Sequence, residues 1–275
     1  MGARFDRLRE RFPRLDHAVR AQQRYDSANG DFCAAAVTYY SIFALFPLLM
    51  VGFAVVGFML ASRPNLLAEI DNRVKSTITG DFAQQLLSLI DAAIESRTSV
   101  GLIGLGTAFW AGLTWMSHLR GALSQIWDPD AVNTRDFLSA KMSDLSSLVS
   151  TFLAILATFG LTWLASGPLR LAGAIRGASL VMSILVAWLL FTWMIARLPR
   201  EPVPMRRAAE AGLLAAVAFE AFKQLGSIYL RVVMHGPAGT TFGPVFGLMV
   251  FAYITARLML FSTAWAAVSA PAPAD

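Results

Sequence analysis

The sequence is poor in charge and almost without cysteine. Charged side chains make up 15% of its 275 residues, whereas a soluble domain carries about 25%. Cys33 is the only cysteine, so the chain can form no internal disulfide and offers no set of thiolates to a metal ion. Because 56% of the residues are hydrophobic, this composition favours a membrane protein over a soluble one.

The longest stretch without a charged side chain is residues 32–62. A helix rises 1.5 Å per residue, so about 20 apolar residues cross a hydrocarbon core ~30 Å thick. Continuous runs of this kind exclude a transmembrane β-barrel, whose strands alternate over about 10 residues. We therefore predict an all-α, polytopic membrane protein with six transmembrane helices. The other five apolar segments are 98–119, 145–169, 177–196, 208–230 and 236–256.

The predicted chain has three parts. Residues 1–31 form a basic, amphipathic arm, residues 32–268 form the six-helix membrane domain with a long outer loop at 63–97, and residues 269–275 are a short tail. Fourteen Lys and Arg residues lie before or in the loops on one side of the predicted spans and seven on the other. Because positive charge accumulates on the cytoplasmic side, we expect both termini in the cytoplasm.

Two regions outside the spans have helical periodicity. In the N-terminal arm, apolar residues recur every three or four positions among the arginines, as in a helix lying on an anionic leaflet; a solvated basic arm that only fixes topology is the alternative. They are Phe5, Leu8, Phe12, Leu15 and Val19. The outer loop contains two apolar stripes, which predict two amphipathic helices. The first runs from Leu66 to Val74 and the second from Phe82 to Ile94.

Polar residues and a proline interrupt the first span. Tyr39, Tyr40 and Ser41 lie one to two turns before Pro47, which removes a backbone donor and frees a carbonyl. Membrane helices tolerate this where neighbouring groups satisfy the carbonyl. We expect the three polar side chains to line a polar cleft and Pro47 to kink the helix.

Besides Glu210 near the start of the segment 208–230, three ionised residues lie inside the last two spans. Glu220 and Lys223 are three residues apart and share a helical face, so they can pair, with Gln224 beside them. Arg257 interrupts the sixth span. Because ionised groups at membrane depth are costly and usually face a bundle interior or cavity, we predict that these four residues line a substrate cleft. A buried, purely structural network is the alternative.

Three segments resemble a known family. They are Ala34 to Met50 (AAAVTYYSIFALFPLLM), Gly101 to Trp127 (ending LSQIW) and Thr241 to Ala267. The resemblance is to the YihY/virulence factor BrkB family of bacterial inner membrane proteins, including its YhjD-like members. It covers about residues 20 to 268. It implies six spans, the bacterial inner membrane and a role in the cell envelope, with transport of a lipid or envelope precursor.

The sequence contains no recognised catalytic or nucleotide-binding motif. His17, His118 and His235 are isolated from one another, and no Walker loop, dinucleotide fingerprint or zinc-protease motif occurs. We therefore expect no enzyme activity, no cofactor, no metal and no nucleic-acid partner. The leading hypothesis is a transporter or flippase for an amphiphilic, anionic envelope molecule, with membrane lipids as partners. The alternative is a non-transporting membrane scaffold or envelope-assembly partner.

Overall fold

The described part of the chain is helical throughout. The computed structural model describes residues 12–63, 65, 67, 69, 70, 72, 76, 81–128, 137–166, 175–233 and 237–269. No strand occurs in these ranges, and the all-α prediction is confirmed. The helices are α1 (Pro13–Ser27), α2 (Gly30–Ala61), α3 (Asp81–Glu95), α4 (Arg97–Trp127), α5 (Phe137–Ser166), α6 (Ile175–Arg197), α7 (Met205–Val233) and α8 (Pro237–Val268).

Six of these helices are long enough to cross a bilayer. The shortest of the six, α6, has 23 residues, which corresponds to ~34 Å at the helical rise. Within the described ranges, α2, α4 and the segment Val245–Val268 of α8 are also apolar enough to span, and Val181–Arg197 of α6 is a shorter apolar stretch. The fold is therefore that of a polytopic membrane protein, and the count of six spans stays a prediction.

By internal packing, the chain divides into two compact units. The first contains Met1–Tyr39 and Trp115–Asp275, and the second contains Tyr40–Thr114. Both boundaries fall inside long helices, α2 and α4. The division into an arm (1–31), a membrane domain (32–268) and a tail (269–275) stays a prediction.

In the first unit, small residues bring α6 and α7 into close contact. The buried face of α7 consists of Ala208, Ala211, Ala215 and Ala216, a pattern that lets membrane helices approach closely. Gly212 lies on this face, and a Cβ there would come within 2.8 Å of the Thr192 backbone nitrogen. The Trp188 indole Nε1 donates to the Ala209 carbonyl at 2.8 Å across the same contact. A side chain larger than hydrogen at position 212 would therefore separate the two helices.

Helix α1 packs against α8. The face that it uses is not the stripe of apolar residues predicted for the N-terminal arm, which includes Phe12 and Leu15. Its buried residues are Ala21 and Tyr25, and the His17 ring meets Trp265 edge-on with centroids 4.3 Å apart. Phe12 and Leu15 of the stripe are exposed, while Phe5 and Leu8 lie outside the described residues. The prediction of a solvated arm is therefore wrong for residues 13–27, because one face of this helix is covered by protein. Contact of the exposed Phe12 and Leu15 with a leaflet stays a prediction.

The second unit contains α3, the second helix predicted in the outer loop. Leu87, Ile90 and Ile94 are half-buried on one side, whereas Ser88 and Asp91 on the other side are exposed. The second amphipathic helix is therefore confirmed. Much of the first predicted helix, from Leu66 to Val74, lies outside the described residues.

Candidate functional site

Glu220 and Lys223 form an ion pair near the middle of α7. Glu220 is the sixteenth of the 29 residues of α7, so it lies near the middle of a helix ~43 Å long. Lys223 Nζ lies 2.5 Å from Glu220 Oε2, and their side chains are 34% and 10% exposed. The pairing expected from the three-residue spacing is therefore present, and its depth in a membrane stays a prediction.

Neighbouring polar groups complete this pair. The Ser183 hydroxyl of α6 donates to Glu220 Oε2 and accepts from Lys223 Nζ, both at 2.8 Å. The Gln224 amide donates to Glu220 Oε1 at 3.3 Å. Lys223 also lies 5.3 Å from the centre of the Phe219 ring. Because every charged atom has a partner, the cluster can persist in a low-dielectric environment, and Lys223 remains partly uncovered by protein.

Arg257 belongs to a second cluster at the start of α2. Its Nε lies 3.2 Å from Asp31 Oδ1, with the two side chains 47% and 58% exposed. The same oxygen accepts from the Tyr25 hydroxyl at 2.8 Å and the Tyr253 hydroxyl at 3.3 Å. Burial, and then the hydrogen bond to Asp31, raise the pKa of the Tyr25 hydroxyl well above its ordinary value. That hydroxyl therefore stays protonated and donates to the carboxylate.

The structure separates Arg257 from the Glu220–Lys223 pair. Phe219 and Phe251 are in contact, with ring centroids 5.8 Å apart, so Glu220 lies near the level of Phe251. Arg257 is six residues further along α8, which corresponds to ~9 Å of helix. Arg257 is thus held by the carboxylate that precedes the first span, and a single cleft shared by the three charges stays a prediction. The ion pairs of the described residues join Arg257 to Asp31 and Glu220 to Lys223.

The predicted residues of α2 fall into different units. Tyr39 is exposed at the end of one part of the first unit, while Tyr40, Ser41 and Pro47 belong to the second. Pro47 is inside α2, which continues as helix on both sides of it. The roles of these residues in a cleft and a kink stay predictions.

A buried ion pair near the C-terminal end of α4 was not predicted from the sequence. Arg120 Nη1 lies 2.7 Å from Asp144 Oδ1, and the side chains are 8% and 9% exposed. Arg120 Nε donates to the Leu198 carbonyl at 3.0 Å. The predicted apolar segments 98–119 and 145–169 leave both residues in the loop between two spans, but α4 continues to Trp127 and α5 begins at Phe137. The available signal was the apolar spacing of Met116, Leu119, Leu123 and Ile126, which extends the helix beyond the charge-free run.

The end of α4 is capped by a residue of the basic arm. Arg24 Nε and Nη2 donate to the carbonyls of Ile126 and Trp127 at 2.9 and 2.8 Å. Cations stabilise helix C-termini because the last carbonyls lack helical partners. Arg24, which the sequence interpretation counted only as a topology charge, therefore fixes α1 to α4.

Beside this cap lies a cavity of about 380 Å³. Residues from the start of α2 form one wall, and the last turns of α4 with Arg200 form the other. Its lining includes Phe32, Cys33, His118, Gly121, Asp128 and Arg200. This cavity contains none of the residues predicted for a cleft, because it is created by packing between α2 and α4 that sequence spacing does not report. In the parts of the chain that the structure describes, no three His, Cys, Asp or Glu side chains lie close enough together to hold a metal ion.

Almost the full length of this chain is similar to known membrane proteins. The family model described as Virulence factor BrkB matches residues 21–273. Inner membrane protein YhjD of Escherichia coli (strain K12) is 34% identical over 94% of this chain and 82% of its own length. A UPF0761 membrane protein of Azotobacter vinelandii is 26% identical over 82% of this chain and 56% of its own length. No solved structure matches the chain.

Proposed function

Because the chain belongs to the virulence factor BrkB family, as its motifs indicated, we propose that it is a multi-pass bacterial inner membrane protein that transports or flips an amphiphilic, anionic envelope molecule. The inner membrane assignment follows the name of its Escherichia coli relative. The proposal assigns no catalytic step, cofactor or nucleic acid to the chain. The charge bias supports a cytoplasmic location for both termini.

The observation that carries the transport proposal is the asymmetric burial of Glu220 and Lys223. Glu220 is enclosed, while about a third of Lys223 is not covered by protein. An anionic group that enters from that side can compete with Glu220 for the ammonium, and Ser183 already contacts both partners. A charge pair at mid-helix is costly to insert, and exchange of its partner during transport supplies a reason for its presence.

The proposal is tested by lipid flipping in proteoliposomes. Vesicles containing a fluorescent phosphatidylglycerol are treated with dithionite, which bleaches only the outer leaflet. We expect loss of the protected signal with the wild-type protein and a several-fold slower loss with Lys223→Met. Glu210→Gln is the matched control, because Glu210 forms an exposed pair with Arg206 on the same helix. Wild-type vesicles that bleach no faster than protein-free vesicles would overturn the proposal.

A membrane scaffold is the second candidate, and one observation favours it. Arg120 and Asp144 are held in a buried ion pair, and such a pair can lock helices in place without binding a ligand. A scaffold predicts that the wild-type protein has no flipping activity. It also predicts that Lys223→Met acts only through stability.

A further inference from the structure

The cavity beside the end of α4 lies where two apolar runs end. Phe32, Cys33 and Ala36 are at the start of the charge-free run 32–62, and Gly121, Gln125 and Asp128 follow the run 98–119. A cavity at this level meets the boundary between hydrocarbon and lipid headgroups. The ligand that matches this position has an apolar part and a polar part.

The chemistry of the walls is divided in the same way. Phe32 is 77% exposed on the α2 side, where an acyl chain can lie along the helix. His118, Gln125 and Arg200 supply polar groups on the other side. A volume of about 380 Å³ is at the small end of ligand sites, about 300–1,000 Å³, and suits a headgroup rather than a whole lipid.

Arg200 gives the site its charge preference. Its backbone nitrogen is fixed by the Ser124 hydroxyl at 2.9 Å, and its side chain is half-buried. Among the residues that the structure describes, no ion pair to its guanidinium is present. Asp128 and His118 have interactions of their own within the protein. A guanidinium is the side chain best suited to a phosphate, because its planar donors form paired hydrogen bonds.

Gly121 keeps the floor of the cavity open. A Cβ at this position would meet no atom within 4 Å, although the residue lines the cavity. A larger side chain therefore fits into the empty volume without displacing the protein. A substitution at Gly121 can therefore fill the cavity while the protein stays folded.

From these features we propose that the cavity binds the phosphate headgroup of an anionic phospholipid-like amphiphile, with Arg200 contacting the phosphate and the acyl chains lying along Phe32. The inference rests on the proposed function only for the class of ligand. Binding at this boundary does not require that the lipid cross the membrane.

The test measures binding to the full-length protein in dodecylmaltoside. The probe is dioctanoyl phosphatidylglycerol, and bound lipid is counted by native mass spectrometry. We expect Arg200→Gln to weaken binding about tenfold or more, the loss expected for a charge-assisted contact to phosphate. Arg197→Gln, which removes an exposed arginine outside the cavity at the end of α6, is the matched control and should bind like the wild type.

A second variant fills the cavity without changing charge. Gly121→Leu should also reduce binding about tenfold, because a leucine side chain occupies the headgroup volume. Gly106→Leu is its control, since Gly106 is on the same helix with nothing within 4 Å of its Cβ position. Melting temperatures of all variants establish that each is folded.

One further lipid and inorganic phosphate decide the ligand class. Equal binding of dioctanoyl phosphatidylcholine would overturn the preference for a net negative headgroup, and equal competition by inorganic phosphate would overturn the need for acyl chains. Unchanged binding in both folded cavity variants would overturn the site itself. These measurements do not involve flipping. Absence of flipping in proteoliposomes would therefore not contradict lipid binding in the cavity. Absence of lipid binding in the cavity would not contradict the transport proposal for Glu220 and Lys223, which the flipping assay tests separately.

Discussion

Removal of one partner from the buried Arg120–Asp144 pair is expected to destabilise the protein strongly. Both side chains are more than nine-tenths buried and 2.7 Å apart. Asp144→Leu leaves a guanidinium with only the Leu198 carbonyl to accept its hydrogen bonds among the described groups. Breaking a buried pair in this way costs about 3–5 kcal/mol of the free energy of unfolding. Arg120→Met should cost a similar amount, since it isolates a carboxylate and the Leu198 carbonyl.

The double variant distinguishes the loss of the ion pair from other destabilising effects of the two substitutions. In Arg120→Met with Asp144→Leu no unpaired charge remains, so the loss should be smaller than the sum of the two single losses. Replacing a buried pair by apolar residues is often nearly neutral. The exposed pair Arg206–Glu210 is the control, and Glu210→Gln should cost less than ~1 kcal/mol.

The assay is reversible unfolding in mixed dodecylmaltoside and dodecyl sulfate micelles, followed by tryptophan fluorescence. The free energy of unfolding is obtained for the wild type, the two single variants, the double variant and the control. Single losses below ~1 kcal/mol, or a double loss equal to their sum, would refute the pairing argument. In that case the interaction of Arg120 with Leu198 alone would account for its burial.

Two further predictions concern orientation and Arg257. In a Cys33→Ala background, cysteines at Ser76 and Ser143 should be labelled from opposite sides of the membrane by an impermeant maleimide, and labelling of both from outside would contradict the positive-inside assignment. Arg257→Gln should lower stability by less than ~1 kcal/mol, because its pair with Asp31 is about half exposed on both sides and such pairs contribute little; a larger loss in the unfolding assay would show a structural lock.

The helices could be predicted from the sequence because their signal is local. Charge-free runs and three- to four-residue spacing follow directly from bilayer thickness and helical geometry. The Glu220–Lys223 pair was predictable for the same reason, since its partners are three residues apart on one helix. The helix ends were less predictable. Arg120 was assigned to a loop because a charged residue ends the apolar run, although its helix continues to Trp127.

Long-range partners could not be predicted. Asp31 meets Arg257 from the opposite end of the chain, and Asp144 meets Arg120 from the next helix. Which carboxylate reaches which guanidinium depends on how the helices are arranged around one another, and a single sequence contains no signal for that arrangement. The cavity beside α4 could not be predicted either, because it also depends on how distant segments pack together. Its walls come from the start of α2, the end of α4 and the segment after α6.

Three of the described ion pairs differ in solvent exposure, and the difference helps to distinguish a transporter from a scaffold. Arg120 and Asp144 are both enclosed, so no ligand can reach either charge without local opening, and the pair acts as a lock. Arg257 and Asp31 are both half exposed near the end of a span, where water and headgroups can replace either partner at little cost. Only in the Glu220–Lys223 pair, among the pairs described, is a buried anion joined at mid-helix to a partly uncovered cation. A scaffold gains nothing from leaving that cation accessible, whereas a protein that passes an anionic group across the membrane needs such a partner. The lipid-flipping comparison of Lys223→Met with Glu210→Gln therefore addresses the step at which the two functions diverge.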